Sequence, residues 1–504
     1  MNENRPSPRG TFGEKNKRFS SDGAQGAKKP FTRGKWDGKA KGGYKKEGKS
    51  AKPVSRMDAR RLALNALADV TRANAYAGLA LDKALRSSVL PPEEKRLATS
   101  IFYSAVENLL RIDYILKQFV EHMPEPIVED ILRIAAAQLL FMDKQPDHAV
   151  VDEAVKQARA FRGEGYTALV NGALRNLIRA RDDKTIAYPD PAVRPIQALA
   201  VEYSVPEPLV KRLVDDYGIE FAQELLTYRP DERWETLRPN RMMMDDNQFS
   251  AYLTGRGWEH QPGPVPGSFR VRAAGDLPSD PDYRRGLFSI QGASSMLAAM
   301  AVKPQRGMRI LDACAAPGGK ACLMAEMMGG TGRVYAWDLH EHRVELIRAA
   351  KRRLKLDNLR PAAHDASVFR PEMAEEKLDA VLIDAPCSGL GVMINKPDIK
   401  YRQNDQTIAG LVEIQRNILE ACCQYVKVGG ALVYSTCTIL PEENVRQVER
   451  FLRDHGEFRL DTDMSYLPHA LRDKAENGML QLYAHRDGME GFFIARMVRV
   501  GDEA

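Results

Sequence analysis

Three textures of hydrophobic patterning succeed one another along the 504 residues of the chain. Between 56 and 182 apolar residues recur at three- and four-residue steps, with no strand-like run. In EKRLATSIFYSAVENLLRIDYIL, Leu97, Ile101, Ala105, Leu109, Ile112 and Leu116 fall on one face of a helix. PIVEDILRIAAAQLLFM and GYTALVNGALRNLIRARD repeat that spacing, which predicts an all-helical domain of about five to seven helices over 55–185. Over 195–300 the texture is mixed. PEPLVKRLVDDYG reads as helix, and WETLRPNRMMMD leads into short β-like runs broken by Gly and Pro, so a small α/β module is expected. From 301 to 504 apolar runs alternate with helical stretches. Runs at 308–311, 333–337, 359–363, 379–383, 431–435 and 492–497 predict about six or seven strands in a parallel, doubly wound sheet.

Charge changes this picture at one end. The net charge is +6, yet residues 1–52 hold fifteen Lys and Arg against five Asp and Glu, leaving the rest slightly acidic. That stretch, rich in Gly, Ser and Lys, buries too little apolar surface to order itself, so 1–54 is expected to be a disordered basic tail suited to polyanions. Elsewhere an apolar content of 44% suits globular domains. The N-terminus MNENRPSPRG lacks a signal-peptide apolar core and no run of about eighteen apolar residues occurs, so a cytoplasmic protein without a membrane partner is expected. The six cysteines (314, 322, 387, 422, 423 and 437) show no zinc spacing, and no metal is expected.

The chemistry gathers at strand ends. In an open parallel sheet ligands bind beyond the carboxyl ends of the strands. Asp312, Asp338, Asp365 and Asp384 stand at four such ends, and Cys437 follows a fifth in YSTCTILPEEN. The first of these loops, LDACAAPGGK, packs small residues where backbone must approach a ligand closely, and is neither GxGxxG nor a phosphate loop. Asp338, about twenty residues beyond Gly318-Gly319, suits a ribose diol. Asp365 suits an adenine amino group, and Asp312 disfavours a pyrophosphate, so a nucleoside with a cationic tail fits best. Cys437 and Cys387, the latter in DAPCSG beside Asp384, sit in polar turns where a thiolate can serve as nucleophile. Cys422 and Cys423 in LEACCQYV, and Cys322, read instead as small buried apolar residues. A methyl-donor nucleoside site beside thiols points to pyrimidine carbon 5, which is too weak a nucleophile until a thiolate adds at carbon 6.

At these residues the chain resembles the Sun (Fmu, RsmB-type) family of RNA cytosine-5 methyltransferases. DACAAPGGK, DAPCSG, NKPDIKYR, YSTCTILPEEN and DGMEGFF carry the resemblance in order over about 285–498. ALNALADV, LLRIAAAQLLFM, HAVVDEAVKQAR and LVNGALRNLIRA are similar to the NusB-like RNA-binding domain fused to the 16S rRNA branch. The resemblance implies a Rossmann-like class I methyltransferase domain preceded by an all-α NusB-like domain. It implies S-adenosylmethionine held by Cys314, Ala315, Ala316, Pro317, Gly318, Gly319 and Lys320 with Asp338, Asp365 and Asp384. It also assigns the nucleophile to Cys437, product release to Cys387, and catalytic roles to Asp384 and Lys320. Spacing alone does not decide between the two thiols, since a Pro-Cys dipeptide carries the nucleophile in the DNA cytosine-5 enzymes. Two departures bear on contacts to the substrate strand: Gly292 stands in FSIQGASS where the family usually shows Asp, and NKPDIKYR is a variant of a more Arg-rich stretch. The expected partner is RNA, 16S rRNA above all, acted on by a monomer. A tRNA cytosine-5 methyltransferase and a non-catalytic ribosome-assembly factor are the competing readings, and intact thiols, aspartates and glycine loop weigh against the second.

Overall fold

The computed structural model describes residues 57–501 apart from 144, 230–233, 273–274 and 376, so the basic tail lies outside the described residues. Seven α-helices follow one another from Ala59 to Asp182 and close on one apolar core that includes Leu64, Phe102, Ile112, Leu132 and Leu174. The periodic stretch around Leu97–Leu116 is two helices, Pro92–Glu107 and Leu109–Leu116. The break falls at Asn108, and the second helix is capped from outside: the Ser204 hydroxyl accepts from Leu110 N at 2.9 Å. A cap donated by a distant residue leaves no mark in the local sequence.

The region 195–300 is not one module. Helices Pro195–Glu202, Glu207–Tyr217 and Ile219–Thr227 pack their apolar faces on Leu390, Met393, Ile408, Ile439 and Leu440 of the C-terminal region. A separate four-stranded antiparallel sheet follows, built from β1 (Glu235–Pro239), β2 (Glu259–Pro262), β3 (Phe269–Arg272) and β4 (Phe288–Ile290) in the order β2-β3-β1-β4. It has its own core of Leu237, Phe249, Leu253, Phe269, Val271 and Phe288. The next helix, Ala293–Ala301, buries Met296, Leu297 and Ala298 in the core of the C-terminal sheet.

That sheet holds β5 (Arg309–Asp312), β6 (Arg333–Asp338), β7 (Leu359–Ala363), β8 (Leu378–Asp384), β9 (Val426–Thr436), β10 (Phe458–Leu460), β11 (Met479–Leu482) and β12 (Phe492–Arg499). The order is β10-β12-β9-β8-β5-β6-β7, with β11 also on β12. β7, β6, β5, β8 and β9 are parallel, whereas β12 runs antiparallel to β9, β10 and β11. In β8 the run Ala380, Val381, Leu382 and Ile383 is buried on both faces, as expected of a parallel strand covered by helices on either side. The chain leaves β5 for β6 on one side, and β8 lies on the other. This reversal opens the crevice at which such sheets bind ligands.

The segment NKPDIKYR, the variant of a more Arg-rich stretch, docks on the helical domain. Asp398 accepts from Ala77 N at 3.0 Å, Lys400 Nζ donates to Glu107 O at 2.9 Å, and the Tyr401 hydroxyl donates to Val106 O at 2.8 Å. Arg402 donates to Asn74 O at 3.0 Å and lies over the Tyr76 ring, 4.3 Å from its centre. Asp398, Lys400, Tyr401 and Arg402 thus serve helix ends, and Lys400 also lines the neighbouring cleft. No helix among the described residues is long and apolar enough to cross a membrane.

Candidate active site

The loop after β5 is laced to both neighbouring strands. Ala313 N donates to Leu382 O of β8 at 2.9 Å, and Ala315 N donates to Trp337 O of β6 at 2.7 Å. Cys314 turns its thiol toward the core, the Ala316–Pro317 bond is cis, and Pro317 is exposed. Gly318 takes φ +110°, a backbone that side-chain-bearing residues rarely adopt, and Gly319 opens the helix Gly319–Met327. Beneath this loop Asp312 is fully buried, and neither carboxylate oxygen has a hydrogen-bond partner among the described residues. Burial pushes its carboxyl up to about 7. Asp338 is buried too, accepting from His340 N at 3.2 Å and pairing with Arg343 at 3.2 Å. Asp365 is exposed, and one of its oxygens is taken by Ser367 N at 3.0 Å and by the Ser367 hydroxyl at 2.7 Å.

On the other side of the crevice, Ala385 N donates to Ser435 O at 2.8 Å and ties the turn after β8 to β9. Cys387 and Cys437, fifty residues apart in sequence, come to 3.3 Å between sulfurs. The Cys387 thiol facing Cys437 holds the latter below its ordinary value against the opposing effect of burial, and Lys320 adds to the lowering. The same contact, followed by burial, holds Cys387 well above its ordinary value. The pair therefore favours a Cys437 thiolate accepting from a Cys387 thiol. Lys320 Nζ meets Asp384 at 2.6 Å, and the other Asp384 oxygen accepts from the Ser435 hydroxyl at 3.0 Å.

What sequence reasoning missed is the bracket behind the thiols. Glu443, fully buried, accepts from Ser388 N at 2.8 Å and from Gln415 Nε2 at 2.9 Å, and from the Ser388 hydroxyl as well. Asn444 accepts from the Thr436 hydroxyl at 2.6 Å and donates to Thr438 O at 3.1 Å, spanning Cys437 from both sides. The quoted PEEN is thus the wall that holds both cysteine turns; that two polar residues directly follow Pro441-Glu442 was its one signal.

A cleft of about 1460 Å³ runs from Gly391, Gly292 and Glu490 past Tyr228 and Trp234 to Tyr103 of the helical domain. Arg111, Arg229, Arg270 and Lys400 line it together with Glu107, Glu202, Glu235 and Glu490. None of the four cations pairs with a carboxylate of the described residues; they bond backbone carbonyls such as Glu202 O, Leu226 O, Gly488 O and Glu107 O. Burial, reinforced by Arg229, pushes the Lys400 ammonium down to about 7.

An open, mostly parallel sheet with its glycine loop at the switch point and an acid at the end of the second strand defines a Rossmann-like class I methyltransferase, here with a helical domain in front. Residues 299–498 match the family described as 16S rRNA methyltransferase RsmB/F, and residues 57–179 match the NusB family. The probable ribosomal RNA small subunit methyltransferase B of Bacillus subtilis (strain 168) is 36% identical over 451 residues, spanning 89% of this chain and 100% of that one. Its namesake in Synechocystis sp. is 31% identical over 450 residues, 88% of this chain and 99% of that one. The chain belongs to the RsmB/F methyltransferase family. The crystal structure of PH0851 superposes with a TM-score of 0.73 at 25% identity, over 88% of this chain and 98% of that one. NSun6 from Pyrococcus horikoshii with SFG shares the fold, with a TM-score of 0.52 at 20% identity over 59% of this chain and 99% of that one.

Proposed function

We propose that the protein is an S-adenosylmethionine-dependent RNA methyltransferase that modifies carbon 5 of a cytosine in small-subunit ribosomal RNA through a covalent Cys437 adduct. The carrying observation is the pair of sulfurs 3.3 Å apart beside the Lys320–Asp384 pair. The residues present fit the cofactor. Asp312, with two unpartnered buried oxygens, suits a cationic group, Asp338 suits a ribose diol, and the backbone of 314–319 forms the close wall. When bound, S-adenosylmethionine supplies the electrophilic methyl group.

Cys437 thiolate adds to carbon 6, placing electron density on carbon 5, while the Lys320–Asp384 pair faces ring nitrogen 3 and neutralises the charge that gathers there. Bonding to carbon removes the Cys437 sulfur as a hydrogen-bond acceptor for the Cys387 thiol, the first cause of the raised Cys387 value, and its charge with it. Cys387 then ionises more readily, losing its proton to solvent, and takes the carbon-5 proton as the Cys437–carbon 6 bond breaks. The cleft, whose four cations have no carboxylate partner among the described residues, suits an RNA strand, cations meeting phosphates and Tyr228 offering a ring for stacking.

The test is a pair of variants on a small-subunit rRNA transcript. Cys437→Ala should form neither product nor adduct. Cys387→Ala should accumulate a protein–RNA species that survives a denaturing gel. Adduct in Cys437→Ala and none in Cys387→Ala would reverse the two roles, and a fully active Cys437→Ala would end the mechanism.

A further inference from the structure

We propose that Glu490 reads the exocyclic amino group of the target cytosine, its carboxylate standing where residue 292 has no side chain. This rests on the cytosine chemistry proposed above. A Cβ added to Gly292 would lie 2.5 Å from Glu490 Oε1, 3.1 Å from its Cδ and 3.2 Å from Oε2. The carboxylate oxygens of an aspartate lie two bonds beyond its Cβ, about 2.4 Å away. Glu490 thus brings an oxygen from another loop to the distance at which an aspartate at position 292 would hold its own.

Two sets of contacts tie the segments on either side of this carboxylate to the reactive turns. Gln291, which precedes Gly292, lies against Gly319, the neighbour of Lys320, with its Cδ 3.5 Å from where a Gly319 Cβ would stand. On the other side Gly491, which follows Glu490, donates to Gly391 O at 2.9 Å, and Gly391 N donates to Cys437 O at 3.0 Å. Glu490 is half-buried, lines the cleft, and adjoins segments that touch the Lys320 turn on one side and the Cys437 turn on the other.

Its bonding capacity is largely open. Among the described residues Glu490 forms no ion pair, and its carboxylate accepts only from the Ser294 hydroxyl at 3.3 Å, a group that bonds its backbone oxygen at 2.9 Å as well. Asp384 differs, since both of its oxygens are engaged by Lys320 and Ser435. A carboxylate can only accept. Cytosine presents an amino donor at carbon 4 and uracil an acceptor, so an open carboxylate there welcomes the first and repels the second.

The experiment uses the full chain and two forms of one rRNA transcript, with cytosine or uracil at the target. Glu490→Gln keeps the outline but offers a donor. It should lose about 10–100-fold in kcat/KM on the cytosine transcript, narrow the cytosine-to-uracil preference, and bind cofactor as the native protein does. Glu490→Gly should fail likewise, and Gly292→Asp added to Glu490→Gly should recover at least about tenfold of that loss. Native-like kcat/KM in Glu490→Gln, or a double variant no better than Glu490→Gly, would overturn the assignment. If the native protein makes no 5-methylcytosine, the underlying cytosine reading fails first and takes this one with it.

Discussion

Glu443 offers the sharpest test of how the thiols are held. It accepts from Ser388 N, the Ser388 hydroxyl and Gln415 Nε2, and it is fully buried. Glu443→Ala would leave two buried N–H donors without an acceptor, at about 1–3 kcal/mol each, so the fold should lose about 2–6 kcal/mol. Glu443→Gln is milder. Its carbonyl can still serve both N–H groups while Ser388 turns its hydroxyl to Thr438, 2.7 Å away, so only the charge assistance of about 1 kcal/mol is lost. A functional effect accompanies the loss of stability, because Ser388 adjoins Cys387 and a shift of about 1 Å at a reacting group costs about 10²-fold. Urea unfolding should rank native above Gln above Ala. Release of methylated RNA from the adduct should slow about 100-fold in the Ala variant and less than about tenfold in the Gln variant. Cofactor affinity should hold, since the loop after β5 is laced to β6 and β8 and not to Glu443. An Ala variant that releases methylated RNA at the native rate, or that loses cofactor binding in step with rate, would refute the bracket.

Two further outcomes follow from other contacts. The Asp312 carboxyl titrates near 7 in the folded chain because of burial, above its ordinary value, so stability of the free protein should fall as pH rises from about 4 to 7. Over the same range the carboxylate becomes available to a cationic ligand. Cofactor affinity, measured by calorimetry, should therefore weaken by up to about tenfold per pH unit below 7, and Asp312→Asn should abolish that slope; an unchanged slope counts against a cation over Asp312. Asp398→Ala removes a buried acceptor from Ala77 N and an ion pair with Arg402, so it should loosen the helical domain by about 3–5 kcal/mol, read as new protease cuts within 183–194; native-like resistance would contradict the docking role.

The parts of the fold legible in sequence are those whose pattern is set by local surroundings. β8 and β9 are covered on both faces, so their runs are continuously apolar and stand out. β10 and β11 are three and four residues long, lie at the edge against β12, and carry polar residues such as Arg459 and Gln481, so nothing marks them. The thiols were legible because a cysteine in a polar turn is odd in itself. Glu443 was not, since Glu442 and Glu443 look alike in sequence while one pairs with Arg212 at the surface and the other is sealed inside. Only the packing of distant elements separates them. The docking role of NKPDIKYR was hidden for the related reason that a polar residue serving a helix end and one serving a phosphate are the same letter.

Gln403, one residue beyond that docking segment, donates to Ser388 O at 2.8 Å, next to Cys387. Residues 388–403 are therefore shared property of the chemistry and of the domain joint. A graft that exchanges the helical domain for that of another RsmB/F protein should keep its catalytic rate only if this stretch travels with it. The two halves of the molecule are not interchangeable parts bolted together at a linker; the seam runs through the active-site turn.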